Sequence, residues 1–180
     1  MNRRSHATTE DYLHRVRQLV LADTSLFDNE ADLLASTKLL YGLGNGSYRG
    51  ITAYGVWQNG KADKVPVVEI AASAQESYVQ LAGTTIHELA HVLAGNLAGH
   101  SNDWKDAAVR LGFTKRPMAA GQVYHLAMIR PRLREAISEL AREIADGHPD
   151  FRPTVFGSLA GRLAPRPCSQ GIGRMGGKSR

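Results

Sequence analysis

The chain is 180 residues long, 43% hydrophobic and 22% charged, with a formal charge of +5 and a single cysteine, Cys168. That length fits one domain with a tail, and no apolar run approaches the ~18 residues that a membrane span needs. One cysteine excludes an internal disulfide framework and a self-contained four-cysteine zinc ribbon.

Charge divides the chain in two. Lys/Arg and Asp/Glu balance through Asp146, so the whole excess lies in residues 147–180, together with 7 of the 18 glycines and 4 of the 7 prolines. The expected organisation is therefore a domain over 1–146 and a basic, disordered Gly/Pro-rich tail over 147–180. Met1 to Asp11 lacks an apolar core segment, so no secretory signal is expected and a reducing cytoplasm is the expected compartment.

In chain order, Thr8 or Thr9 can cap a first helix, with Glu10 and Asp11 in its first turn and Tyr12, Leu13, Val16, Leu19 and Val20 at helical spacing. A second helix is expected over about Glu30 to Tyr41. Gly42-Leu43-Gly44-Asn45-Gly46 stops it, and this run completes neither phosphate-loop pattern. Ile51 to Trp57 and Val65 to Ala71 read as a hairpin around Asn59-Gly60. Pro66 points to a sheet edge or to the strand's start, and the second of these strands is the candidate edge.

Ser73 and Glu76 form a capping box for the longest helix, about Ala74 to Ala94, closed by Gly95. Asn102 or Asp103 caps the next, Trp104 to Leu111. Pro131 opens a last helix to Asp146, striped by Leu133, Ile137, Leu140 and Ile144. Gly171-Ile172-Gly173-Arg174-Met175-Gly176 spells GxGxxG, but no strand precedes it and it reads as coincidence. Helices around a hairpin or small sheet give an α+β domain.

Chemistry concentrates at His87-Glu88-Leu89-Ala90-His91. Two histidines four apart on a helix lie one turn above each other and can share one ion. Glu88, offset by about 100°, can serve the water instead of the metal. Zinc draws the pKa of a bound water toward neutrality, and the carboxylate can take its proton and return it to a leaving amine. From this composition HExxH arises by chance about 0.01 times per chain, and the apolar neighbours Ile86, Leu89, Ala90, Val92 and Leu93 mark a buried helix.

A catalytic zinc takes a third protein ligand and keeps a fourth position open. His100, just after Gly99, is the leading candidate; His125, Asp103 and Asp106 are alternatives. His6, His14 and His148 read as solvent-facing. Tyr124, His125 and Arg130 are candidate donors to an oxyanion.

Thr84 to His91, followed by Gly99-His100-Ser101-Asn102-Asp103-Trp104-Lys105, resembles the SprT-like (Spartan-related) zinc metallopeptidases. The matching stretch covers about Thr84 to Phe113, and the helix–hairpin–helix order before it agrees. The resemblance implies a zincin-like fold, Zn2+ held by His87, His91 and His100, and Glu88 as general base. It also implies that Trp104 packs the short helix against the site. Known members include proteases that clear proteins crosslinked to DNA. The His91-to-His100 spacing is shorter than the family's, and Ser169 to Arg180 resembles the basic linker before the zinc ribbon in phage-encoded relatives, here without the ribbon.

The expected function is thus a zinc-dependent endopeptidase acting on protein or peptide substrates, DNA-associated ones included through the tail, in a cytoplasm (the host's for a phage protein). The alternative is a non-catalytic, zinc-stabilised nucleic-acid-binding module.

Overall fold

A computed structural model describes residues 8–44, 48–58, 64–72, 76–118 and 123–144. The tail over 147–180, with Phe151, Phe156 and Cys168, lies outside them, as do Asn59-Gly60, Ser73, His6 and His148. The described residues form a mixed α+β structure of five α-helices and a three-stranded sheet.

Helix α1 (Thr9–Asp23) starts where its cap dictates: Thr8 Oγ1 accepts from Asp11 N–H at 3.1 Å while Asp11 Oδ2 accepts from Thr8 N–H at 2.7 Å. Its Tyr12, Leu13, Val16 and Val20 are fully buried. Helix α2 (Asp28–Ser36) is shorter than the sequence predicts. Ser36 Oγ and Thr37 Oγ1 both donate back to Leu33 O, at 3.0 and 2.8 Å, and turn the backbone out of the helix. The apolar run after it, expected as helix, becomes strand β1 (Lys38–Gly42), whose ladder to another strand outweighs its local preference. Leu39 is buried and Leu40 is 41% exposed, which is strand alternation. Leu39→Ala is accordingly expected to cost about 2–4 kcal/mol in denaturant unfolding and Leu40→Ala less than about 1; equal costs would contradict the strand.

Strands β2 (Gly50–Gln58) and β3 (Lys64–Ala71) pair antiparallel, and β1 pairs parallel to β3, so the order is β1-β3-β2. This corrects the expectation that β3 is an edge: it is central. Pro66 is accommodated because it lies where neither ladder needs its missing N–H. The β1 register begins at Val67, and the β2 register skips from Val67 to Val65 at a bulge between Ala53 and Trp57.

Helix α3 (Tyr78–Ala94) starts four residues later than predicted. Ser77, not Ser73, is the cap, accepting from Gln80 N–H at 3.2 Å, while Glu76 pairs with Arg49 at 2.7 Å. Every residue from Tyr78 to Val92 is buried, the pattern of a central helix covered on all sides. Strands β2 and β3 cover one side, with α1, α2, α4 (Asn102–Arg110) and α5 (Pro131–Ile144) around the others. Ser101, rather than Asn102 or Asp103, occupies the α4 cap position. No helix among the described residues is long and apolar enough to cross a membrane.

Candidate metal centre

His87 and His91 occupy successive turns of α3, and their side chains meet a third from the connection to α4. Gly95 and Gly99 adopt positive φ, 89° and 54°, which glycine tolerates without steric cost. Backbone bonds from Ala98 N–H to Gly95 O and from Ser101 N–H to Ala98 O fold the connection into tight turns. The chain thereby reverses within the short interval and delivers His100. His100 Nε2 lies 3.1 Å from His87 Nε2 and 3.2 Å from His91 Nε2. Three imidazole nitrogens converge on one point, a group that could hold a metal ion.

The surroundings favour the form of histidine that binds metal. Burial is the main cause that lowers the pKa of His87 well below the ordinary value, with His91 and His100 adding to it. Burial and then His100 take His91 down to about 3. His100 is lowered by burial and by Lys105. Neutral imidazoles with available lone pairs result.

Trp104 braces the triad from the first turn of α4. Its ring, fully buried, stacks on His91 at 5.3 Å and 26°, meets His100 edge-on at 4.5 Å, and lies 4.6 Å from His87. Its Nε1–H donates to His87 O at 3.3 Å.

Tyr124 arrives by a separate route. The Phe113–Ile129 bridge folds the segment after α4 back on itself, and Gln80 Oε1 accepts from Tyr124 N–H at 2.8 Å. The Tyr124 hydroxyl then lies 2.6 Å from His87 Nδ1. With the Nε2 lone pair aimed at the other rings, Nδ1 carries the proton and donates to the tyrosine oxygen, fixing tautomer and ring orientation. Tyr124 is thus an orienting partner of His87, a task the sequence did not single it out for. Tyr124→Phe should weaken metal binding about 10- to 100-fold in a competition titration while leaving the fold intact; unchanged affinity would contradict the orienting role.

The other two oxyanion candidates do not join the cluster. His125 is exposed. Arg130 Nη2 donates to Arg110 O at 3.2 Å and lies 3.4 Å from Asp23. Asp106 pairs with Arg116 at 2.6 Å and Asp103 is exposed, so neither alternative third ligand is drawn in. His14 sits on α1 beside Arg17.

Glu88 is fully buried, and its Oε2 accepts from Thr52 Oγ1 at 2.7 Å. Strand β2, not β3, is therefore the edge strand that touches the metal helix: Thr52 bonds Glu88 and the Tyr54 hydroxyl donates to His91 O. The sequence reading named neither residue. Their signal lay in the alternation of β2, where 50, 52 and 54 share one face. Comparison with protein-family models, with curated proteins and with solved structures finds no match for this chain.

Proposed function

We propose that this chain is a zinc-dependent endopeptidase of the SprT-like type with a zincin-like fold. The observation that carries this reading is the convergence of three buried imidazoles from an HExxH helix and the turn after it, with the glutamate of the motif held in a hydroxyl hydrogen bond. Zinc–nitrogen bonds of about 2.05 Å at tetrahedral angles separate neighbouring donors by about 3.3 Å, and the separations of His100 Nε2 from His87 Nε2 and His91 Nε2, 3.1 and 3.2 Å, fit that spacing. An all-imidazole set also suits zinc by donor type.

Zinc held there supplies Lewis acidity and brings the pKa of a water toward neutrality. In this reading the chain's own residues do the rest. His87, His91 and His100 bind the ion through Nε2. Glu88 takes a proton on its carboxylate and returns it to the leaving amine. Edge strand β2, alongside the metal helix, offers main-chain groups to an extended peptide. The triad and Trp104 surround the centre with rings that exclude bulk water from its protein side.

The basic segment 147–180 supports protein substrates associated with DNA, because its six Lys/Arg against one Asp can contact phosphates. The test is cleavage of an unfolded protein such as casein and of a DNA-binding protein. Zinc-loaded chain should cleave both, chelation should abolish cleavage, and added zinc should restore it. DNA should accelerate cleavage of the DNA-binding protein only while residues 147–180 are present. Absence of zinc-dependent cleavage would contradict the peptidase reading; indifference to DNA would remove the DNA-associated substrate alone.

A further inference from the structure

We infer that Thr52 is a positioning residue for Glu88, holding the carboxylate in its working orientation within a slot that Gly50 keeps open. The inference rests on the peptidase reading, but its observations belong to β2, outside the metal motif.

Alternation on β2 brings three successive inward positions to the HExxH segment. At Gly50, an added Cβ would lie 2.7 Å from Glu88 Oε1, 2.8 Å from Glu88 Cγ and 2.9 Å from Thr84 Cγ2, so only glycine leaves the carboxylate its space. At Thr52, the fully buried Oγ1 is 2.7 Å from Glu88 Oε2 and 3.1 Å from Glu88 O. The 2.7 Å contact to an acceptor-only carboxylate fixes the hydroxyl as the donor there. At Tyr54, the hydroxyl donates to His91 O one turn further along α3. The strand thus grips the helix at both Glu88 and His91.

A strand whose only task was to cover the helix would bury apolar side chains against it. Here the central inward position carries a hydroxyl directed at a buried carboxylate, and the preceding one carries no side chain at all. A carboxylate without such an anchor retains a choice of rotamers, and a general base works only within hydrogen-bond reach of the proton it takes. The Thr52 donor removes that choice by anchoring Oε2. The missing side chain at Gly50 leaves the space that the carboxylate fills.

The test uses zinc-loaded full-length chain and compares wild type, Thr52→Val, Thr52→Ser and Gly50→Ala for zinc content, kcat and KM on casein-derived peptide. Thr52→Val should lower kcat about 10- to 100-fold with zinc content and KM unchanged. Thr52→Ser, which keeps the hydroxyl, should restore most of kcat. Gly50→Ala should lower kcat with zinc retained, because the added Cβ displaces the same carboxylate. A crystal structure of zinc-loaded Thr52→Val should show the Glu88 carboxylate rotated from its wild-type orientation. Wild-type kcat in Thr52→Val, or an equal loss in Thr52→Ser, would overturn the positioning role while leaving the peptidase reading intact. An inactive zinc-loaded wild type would overturn both.

Discussion

Glu88→Gln is expected to keep its zinc and lose about 100- to 10,000-fold of peptidase kcat. The side chain is fully buried, accepts a hydrogen bond from Thr52 and is not among the three converging nitrogens. Glutamine has the same shape, and its amide oxygen can accept from the same hydroxyl. Fold and metal content therefore have no reason to change. What the amide cannot do is take a proton at neutral pH. The check is paired: metal content by mass spectrometry and cleavage of casein under identical zinc loading. A variant that retains both zinc and full activity would contradict the assignment of Glu88 as base. Loss of zinc together with activity would instead mark it as part of the metal's support.

Trp104→Ala is expected to be the most destabilising single substitution near the site, by about 3–5 kcal/mol, the range for truncating a buried aromatic. For a chain of this size that lowers the melting temperature by roughly 6–20 °C. The effect should exceed that of an ordinary core aromatic in one respect. Trp104 lies within 5.3 Å of all three imidazole rings and its Nε1–H donates to His87 O, so its loss opens a void beside the triad. Zinc affinity should fall with stability. Trp104→Phe, which keeps a ring but not the donor, should recover much of the stability. Destabilisation with unchanged zinc affinity would reduce Trp104 to a core residue with no part in holding the triad.

How much of this was legible in the sequence depends on how local the cause was. The helix at Thr9–Asp23 was readable because Thr8 and Asp11 cap each other within one turn. The pairing of His87 with His91 follows from helical pitch alone. His100 was nameable because Gly99 precedes it, and the two positive-φ glycines supply the reversal. Strand β1 was not readable: Leu39, Leu40 and Tyr41 form an apolar run with no period of its own, and a parallel ladder to residues Val68 to Ile70 decides their state. The edge assignment failed for a related reason. Pro66 was weighed as a mark of an edge or of a strand start, and it lies near the start of a central strand, where the bulge in β2 and the starting register of β1 spare it. Thr52, Gly50 and Gln80 act across the fold, 44 residues apart in the case of Gln80 and Tyr124, and a one-dimensional pattern carries no trace of such partners. Tyr124 was singled out from sequence, but for a different task from its contact with His87 Nδ1.

The most direct test of the central claim is X-ray absorption at the zinc edge on the purified, zinc-reconstituted chain. One zinc per chain is expected, coordinated by three imidazole nitrogens at about 2.0–2.1 Å and one light atom that no side chain supplies, with imidazole scattering lost stepwise in His87→Ala, His91→Ala and His100→Ala. A closed set of four protein ligands would contradict a hydrolytic centre and favour the zinc-stabilised binding module. Failure of the chain to bind zinc at all would contradict the metal centre itself.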